Sequence, residues 1–160
     1  MSTKNLLFYA LLLLLFYGSC SEPGLVFEQK INILNKTWDM DQVPNFSWNI
    51  SDSTSNFDLI LTLEHHPDLN FKNIYVNCKT SFPDSSTKDQ ILSLEIYDES
   101  GKPFGNCSNS NCSTEIMLQH KIRFPFYGNY HLALEQYSRE NMLSNIYSIS
   151  FKILKLEKSI

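Results

Sequence analysis

The sequence lacks a cluster of basic residues, a long apolar segment and a strong net charge. It carries 13 Lys and Arg against 17 Asp and Glu, a formal net charge of −4, without a Lys/Arg run. Nucleic-acid binding needs such a basic cluster, so that class of function is excluded. Charged residues make up 19% and apolar residues 42% of the chain, which excludes a disordered, collagen-like or coiled-coil protein. The 160 residues are enough for one globular domain.

The sequence also lacks the motifs of known catalytic and metal sites. It contains no His-Glu-x-x-His, no Gly-x-Ser-x-Gly, no phosphate-binding loop and no dinucleotide fingerprint. His65 and His66 follow Glu64, but adjacent residues on a β-strand point to opposite faces and do not form a chelating pair. His120 and His131 stand alone. We therefore predict a protein that is not an enzyme and has no catalytic residues, cofactor, metal site or small-molecule substrate.

Residues 1–19 have the features of a lipoprotein signal peptide. Lys4 and the chain amine give a short positive region, and the apolar run from Leu6 to Tyr17 has 12 residues. That run is too short for a bilayer, which needs about 20 helical residues, but it fits the core of a signal peptide. Two small residues then precede Cys20, a pattern that resembles a bacterial lipobox. Tyr17 occupies the position at which a lipobox usually has leucine.

This N-terminus has two interpretations. In the first, Cys20 becomes the lipidated first residue, residues 20–25 form a lipidated tether and residues 26–156 form the domain. In the second, an ordinary secretory signal is cleaved near Ser19. Two or more acyl chains give stable membrane anchoring, so the first interpretation predicts a membrane-bound protein. The segment after Cys20 is Ser-Glu-Pro-Gly, without the acidic run of some surface-exported lipoproteins, which predicts a domain that faces the periplasm.

The remaining cysteines predict one disulfide and one buried thiol. Cys107 and Cys112 enclose the polar sequence Ser-Asn-Ser-Asn, which is long enough to let the two sulfur atoms meet. Disulfides persist in an oxidising compartment, so a bond between them is predicted. The alternative is a metal site, but no second Cys/His pair stands at zinc-finger spacing. Cys78 alternates with Ile74 and Val76, which predicts a buried side chain.

Alternation of apolar and polar residues predicts an all-β domain. Turn sequences rich in Pro, Gly, Asp and Ser separate short segments at a spacing of roughly 8–12 residues. This spacing predicts an antiparallel β-sandwich of about eight strands, either jelly-roll or immunoglobulin-like. One helical turn is predicted between Ser138 and Asn145, capped by the serine. The predicted strands are Leu25–Lys30, Phe46–Asn49, Phe57–Glu64, Ile74–Cys78, Leu92–Tyr97, Ile116–Ile122, Tyr130–Leu134 and Ile149–Ile153.

Several short segments, taken in order, resemble the gliding motility lipoprotein GldH family of Bacteroidota. The resemblance covers residues 20 to about 154, and its specificity comes from order and spacing because each segment alone is weak. One departure is Pro103-Phe104, where the family more often has a Trp-Leu-type pair. The matching segments are Val26-Phe-Glu-Gln, Trp38, Phe57-Asp-Leu-Ile-Leu-Thr-Leu, Asn73-Ile-Tyr-Val, Thr80-Ser-Phe-Pro, Gly101-Lys-Pro-Phe-Gly, Phe124 to Tyr130, Glu135-Gln136, Arg139 and Leu143 to Ile146.

The resemblance implies a lipoprotein of the outer membrane that supports gliding motility, a process linked to type IX secretion, and works by binding protein partners. The family implies no active site. The principal alternative is a sandwich that binds carbohydrate or cell wall through exposed Trp and Tyr side chains. A hydrolase that uses Glu64 and His66 is the third hypothesis.

The resemblance also indicates Gln136 and Arg139 as candidate partner contacts. Arg139 has a structural alternative, in which its side chain bonds carbonyl groups of the segment from Tyr137 to Ile146. Four aromatic residues of the matching region are predicted to lie in the core of the sandwich. They are Phe27, Trp38, Trp48 and Tyr130.

Overall fold

The computed structural model describes residues 24–157, and eleven antiparallel strands account for most of them. A single 3₁₀ turn in this part of the chain, Leu34–Lys36, lies between the first two strands. No helix among residues 24–157 is long and apolar enough to cross a membrane. The strands are β1 (Leu25–Asn32), β2 (Thr37–Asp39), β3 (Asn45–Ile50), β4 (Phe57–His65), β5 (Asn73–Ser81), β6 (Thr87–Glu95), β7 (Asn106–Ser108), β8 (Asn111–Ile122), β9 (Gly128–Gln136), β10 (Met142–Ser144) and β11 (Ile146–Lys155).

The strands form two large sheets and one small ribbon. The first sheet has the order β1-β11-β4-β8-β7, the second has the order β3-β9-β5-β6, and β10 pairs with β2. Each of the eight predicted strands corresponds to one of these elements. When the eight are numbered in chain order, the first sheet has the order 1-8-3-6 and the second has the order 2-7-4-5. This is the order of a jelly roll, which is built from two Greek keys. The all-β antiparallel sandwich is therefore confirmed, in its jelly-roll form.

The sequence prediction missed three short strands and placed one helical turn wrongly. Strands β2, β7 and β10 have three residues each, too few for alternation to be visible. The predicted helical turn from Ser138 to Asn145 is instead a loop followed by β10. Pairing of Leu143 with Trp38 buries both side chains completely, and an isolated helical turn would leave them exposed. Tertiary burial outweighs the weak local preference here.

Aromatic rings join the two large sheets. Phe151 on β11 lies 5.2 Å from Trp48 and 5.6 Å from Phe46 between ring centroids, and both partners belong to β3 in the other sheet. Trp48 also stacks on Tyr130 at 5.8 Å with nearly parallel rings. Trp48, Tyr130 and Trp38 are buried, as predicted. Phe27 is only half-buried, because it lies on the edge strand β1.

The sandwich has two ends that carry different segments. At one end, which we call the Gly24 end, Lys155 pairs with Phe57, and Phe57 pairs with Ile122. The backbone N–H of Lys155 donates to the carbonyl of Gly24 at 2.7 Å. Gly24 has a positive φ of 79°, and a Cβ atom there would collide with the Lys155 carbonyl, so glycine is required where the chain enters the sandwich.

The opposite end carries the β7–β8 hairpin, the ribbon of β2 and β10, and the loop after β9. Strand β9 runs from the Gly24 end to this end over nine residues, a length of about 27 Å. Groups at the two ends are therefore well separated.

Candidate functional site

Cys20 lies outside the described residues, so its lipidation stays a prediction. The described chain starts four residues later, at Gly24. Four residues span at most about 14 Å. Any anchor at Cys20 would consequently hold the Gly24 end of the sandwich close to the membrane.

Cys107 and Cys112 form a disulfide in the β7–β8 hairpin. The two residues face each other directly across the pair of strands, with Asn109 at a positive φ of 53° in the turn. The hydroxyl of Tyr147 on β11 donates to the carbonyl of Ser110 at 3.0 Å and fixes the tip of the hairpin. A loop this short limits the stabilisation to about 2 kcal/mol. The bond holds a small surface hairpin and leaves the sandwich core to its apolar contacts.

Cys78 is the free cysteine of residues 24–157 and is buried in the sandwich, as its alternation with Ile74 and Val76 predicts. Burial raises the pKa of the Cys78 thiol to about 11. The thiolate is the reactive form of cysteine, so this residue is a poor nucleophile at neutral pH.

His65 is a core residue whose two ring nitrogens are both bonded. Its Nδ1 lies 2.9 Å from the carbonyl oxygen of His66, and its Nε2 lies 3.1 Å from the hydroxyl of Thr114. A carbonyl oxygen only accepts, so Nδ1 carries the proton and Nε2 accepts from Thr114 in the neutral ring. The side chain is fully buried, and burial lowers its pKa. This arrangement stabilises a neutral histidine inside the sandwich.

Protonation of His65 is expected to destabilise the fold. In the unfolded chain the ring gains its proton near its ordinary pKa of 6.5, whereas in the folded protein the pKa is lower. The free energy of unfolding should therefore be highest above pH 6.5 and fall as the pH decreases through the lowered pKa. Urea denaturation between pH 8 and pH 5 measures this, and a His65→Gln variant should show a flatter dependence on pH. Equal dependence in the two proteins would contradict this assignment.

Glu64 and His66 do not share a site in the described structure. Glu64 accepts from Nζ of Lys30 at 2.6 Å and from the hydroxyl of Ser148 at 2.9 Å. The hydrogen bond from Lys30 holds the pKa of Glu64 below its usual value. His66 instead accepts the backbone N–H of Asp68 at 3.1 Å. Glu64 and His66 thus bond to different partners, and the two side chains are not joined by a hydrogen bond.

Among residues 24–157, no group of three or more His, Cys, Asp or Glu side chains is placed to hold a metal ion. The cavity between the two sheets is lined by other side chains and not by Glu64, His65 or His66. The described part of the chain thus offers no assembled acid–base or metal centre at the positions that the sequence singled out.

Gln136 holds the loop that follows β9. It is 3% exposed, its Nε2 donates to the carbonyl of Glu140 at 2.7 Å, and its Oε1 accepts the backbone N–H of Ser138 at 3.2 Å. The structural alternative for Arg139 was that its side chain bonds a carbonyl of this loop. Gln136 makes that bond instead. Arg139 is exposed, and within the described chain its side chain makes no hydrogen bond or ion pair.

Two exposed tyrosines lie beside this loop on the outer face of the second sheet. The backbone N–H of Tyr137 donates to the carbonyl of Tyr75 at 2.9 Å, which places the two residues side by side. They are 57% and 48% exposed. Ile91, which is also exposed, is the diagonal neighbour of Tyr75 on β6, since Tyr75 pairs with Ser93. We call Tyr75, Ile91, Tyr137 and Arg139 the tyrosine surface.

Sequence reasoning identified Arg139 but missed the other members of the tyrosine surface. A signal for Tyr75 was present, because it alternates with the buried residues Ile74 and Val76 and must therefore face outward. Tyr137 follows the last residue of β9, and its neighbour Tyr75 lies on a strand far away in sequence. Only the pairing of β5 with β9 brings the two together.

The chain is similar in sequence to proteins described as lipoproteins. Residues 25–153 match the family model described as GldH lipoprotein. A curated protein of Christiangramia forsetii, named gliding motility lipoprotein GldH homolog, is 21% identical over 149 residues. The alignment covers 89% of this chain and 90% of that relative. The match spans nearly all strands of both sheets.

Proposed function

The chain belongs to the GldH lipoprotein family, and from this premise we propose that it is a lipid-anchored envelope protein that supports gliding motility by binding protein partners. The anchor is Cys20, the membrane is the outer membrane, and the domain faces the periplasm. The apparatus that it serves is the motility machinery linked to type IX secretion. The family match over residues 25–153 is the single observation that carries this proposal.

The short link between Cys20 and Gly24 supports a fixed orientation at the membrane. A link of at most about 14 Å keeps the Gly24 end next to the lipid and turns the opposite end away from it. The tyrosine surface lies toward that opposite end, because Tyr137 follows directly after the last residue of β9. It would be presented to proteins in the periplasm. Tethering also raises the effective concentration of the domain, so a small interface is sufficient.

The composition of the tyrosine surface supports protein binding. Tyr and Arg are enriched among the residues that dominate binding energy at interfaces, whereas isolated exposed apolar residues are ordinary. Here two tyrosines, an isoleucine and an arginine whose side chain has no bonded partner among residues 24–157 lie on neighbouring segments. Gln136 contributes by holding the loop that carries Arg139. In this proposal Arg139 contacts the partner directly, and Gln136 positions the contact.

A second candidate function follows from the same two tyrosines. Adjacent exposed aromatic rings are able to stack on sugar rings, so the tyrosine surface could bind cell-wall carbohydrate instead of a protein. Sedimentation of the purified protein with insoluble peptidoglycan distinguishes the two. Binding that a Tyr75→Ala, Tyr137→Ala variant loses would favour the carbohydrate function.

Photo-crosslinking in living cells tests the partner proposal. A benzoylphenylalanine at position 137 is expected to give a crosslinked band of higher mass, because Tyr137 lies in the proposed interface. The matched control is Tyr127, which is 62% exposed but lies in the loop between β8 and β9 at the Gly24 end. Crosslinking at both positions, or at position 127 alone, would contradict an interface at the tyrosine surface.

A further inference from the structure

The sandwich is open along one side, between the outer edges of β6 and β8. Strand β6 is the last strand of its sheet, and β7 pairs only with the first three residues of β8. Within residues 24–157 the rest of both edges pairs with no strand. Lys88 and Gln90 at the start of β6 and Leu118 and Ile122 toward the end of β8 line the same space. A cavity of about 250 Å³ lies between them.

The wall of the cavity is mainly apolar, with Thr80, Gln90 and Gln119 as its neutral polar members. Its wall includes Leu59, Leu118 and Leu132, together with the rings of Phe82 and Phe124, and it runs inward to the aromatic core. Leu118 is only half-buried, although it faces the inside of the sandwich. Apolar space of this size takes up apolar ligands, as a closed cavity of about 150 Å³ does with benzene.

The mouth of the cavity is cationic. Lys88 on β6 and Arg123 just after β8 line it, and no Asp or Glu side chain of residues 24–157 does so. Lys88 is exposed and makes no ion pair among the described residues. Nε of Arg123 donates to the side-chain oxygen of Asn56 at 3.3 Å, which leaves its terminal nitrogens available. Two cations beside an apolar interior match an elongated ligand with an apolar body and an anionic head.

The cavity lies toward the Gly24 end of the sandwich. Ile122 lines it and pairs with Phe57, which pairs in turn with Lys155, the residue bonded to Gly24. On the second sheet, Phe82 lines it from the turn between β5 and β6. The cavity is thus on the side of the molecule where the chain enters, next to the membrane if Cys20 is lipidated.

We propose that this cavity binds a single hydrocarbon chain with an anionic head group. Benzene places six carbon atoms in about 150 Å³, so 250 Å³ accommodates a chain of about ten carbon atoms. The chain lies between β6 and β8 with its methyl end toward Trp48, and its head lies between Lys88 and Arg123. The site is distinct from the tyrosine surface, and the cavity and its charges stand independently of the lipid anchor.

Calorimetry with decanoate and two matched amphiphiles tests the ligand class. The protein is the full mature chain carrying Cys20→Ser, which retains every described residue and removes the anchor from the assay. Decanoate is expected to bind with one-to-one stoichiometry. Decyltrimethylammonium has the same chain with the opposite charge, and butyrate has the same head with a short chain, so both should bind at least about tenfold more weakly. Decyl phosphate distinguishes a lipid phosphate from a free fatty acid as the source of the head.

Two variants and their controls locate the site. Leu118→Trp fills the cavity and should abolish decanoate binding, whereas Met117→Trp, at the adjacent and half-exposed residue of β8, should leave it unchanged. Lys88→Glu reverses the charge at the mouth and should weaken binding several-fold, whereas Lys102→Glu, an exposed lysine that does not line the cavity, should not. If the Leu118→Trp variant fails to fold, the Lys88→Glu variant still tests the site.

A brominated chain reports where the methyl end lies. Saturable quenching of tryptophan fluorescence by 10-bromodecanoate is expected, because Trp48 forms part of the cavity wall. The proposal is overturned if decanoate does not bind, if decyltrimethylammonium binds equally well, or if Lys88→Glu and Lys102→Glu have the same affinity as the unmodified chain. None of these outcomes would affect crosslinking at Tyr137, so the failure of this site and the failure of the partner proposal are separable.

Discussion

Replacing Cys20 by alanine is expected to release the protein from the membrane fraction. In the proposed mature protein several acyl chains join Cys20, each buried CH₂ contributes about 0.8 kcal/mol, and two or more chains give stable anchoring. Alanine has no thiol, so it removes every chain that depends on the cysteine. The anchor at Cys20 is thus expected to account for most of the membrane affinity.

Cell fractionation and metabolic labelling with an alkyne fatty acid measure this effect. The Cys20→Ala protein should lose the label and move from the pellet to the supernatant after lysis and ultracentrifugation. Cys78→Ala is the matched control, because Cys78 is a buried thiol in the second sheet, and it should keep both label and location. A Cys20→Ala protein that stays in the membrane with unchanged electrophoretic mobility would contradict lipidation at Cys20.

Replacing Phe151 by alanine is expected to remove 3–5 kcal/mol from the free energy of unfolding, about the range for deletion of a fully buried phenylalanine. Phe151 has no exposed surface, and its ring contacts Trp48, Phe46 and Phe27. Two of these partners belong to the other sheet. The substitution would therefore leave a void at the contact between the two sheets. Domains of this size are stable by about 5–15 kcal/mol, so a large part of the stability depends on this one ring.

Urea denaturation followed by far-ultraviolet circular dichroism measures the change. The experiment is performed without reductant, so that the disulfide between Cys107 and Cys112 is the same in every variant. Phe104→Ala is the control, since Phe104 is 62% exposed and its loss should change stability by less than about 0.5 kcal/mol. A Phe151→Ala loss as small as that of the control would show that the two sheets do not depend on this contact.

Alternation made the eight long strands predictable because most of them turn one face to the core and the other to solvent. Phe57–His65 and Ile146–Lys155 are inner strands of the first sheet and are buried at most positions, which still distinguishes them from loops. The choice between a jelly roll and an immunoglobulin-like sandwich was not predictable. That choice depends on the order of the strands within each sheet, and pairing between strands that are distant in sequence leaves no local pattern.

Site residues were predictable only where a local pattern revealed them. The paired cysteines and the buried thiol followed from spacing and alternation. The contact between Tyr137 and Tyr75 depends on the pairing of β9 with β5, and the cationic mouth depends on Lys88 and Arg123 meeting from different sheets. Gln136 and Arg139 were identified together, but only the structure separates the buried residue that holds the loop from the exposed one.

Colony spreading by complemented deletion strains tests the central proposal, a tethered protein that binds partners and performs no catalysis. Strains carry the unmodified gene, Glu64→Gln with His66→Ala, or Tyr137→Ala with Arg139→Glu, at equal protein levels and with normal localisation. Secretion of type IX substrates is scored in the same strains. We predict that the first two restore spreading and that the third does not. Restored spreading with the tyrosine-surface variant, together with its loss in the Glu64 and His66 variant, would contradict the proposal and support catalysis instead.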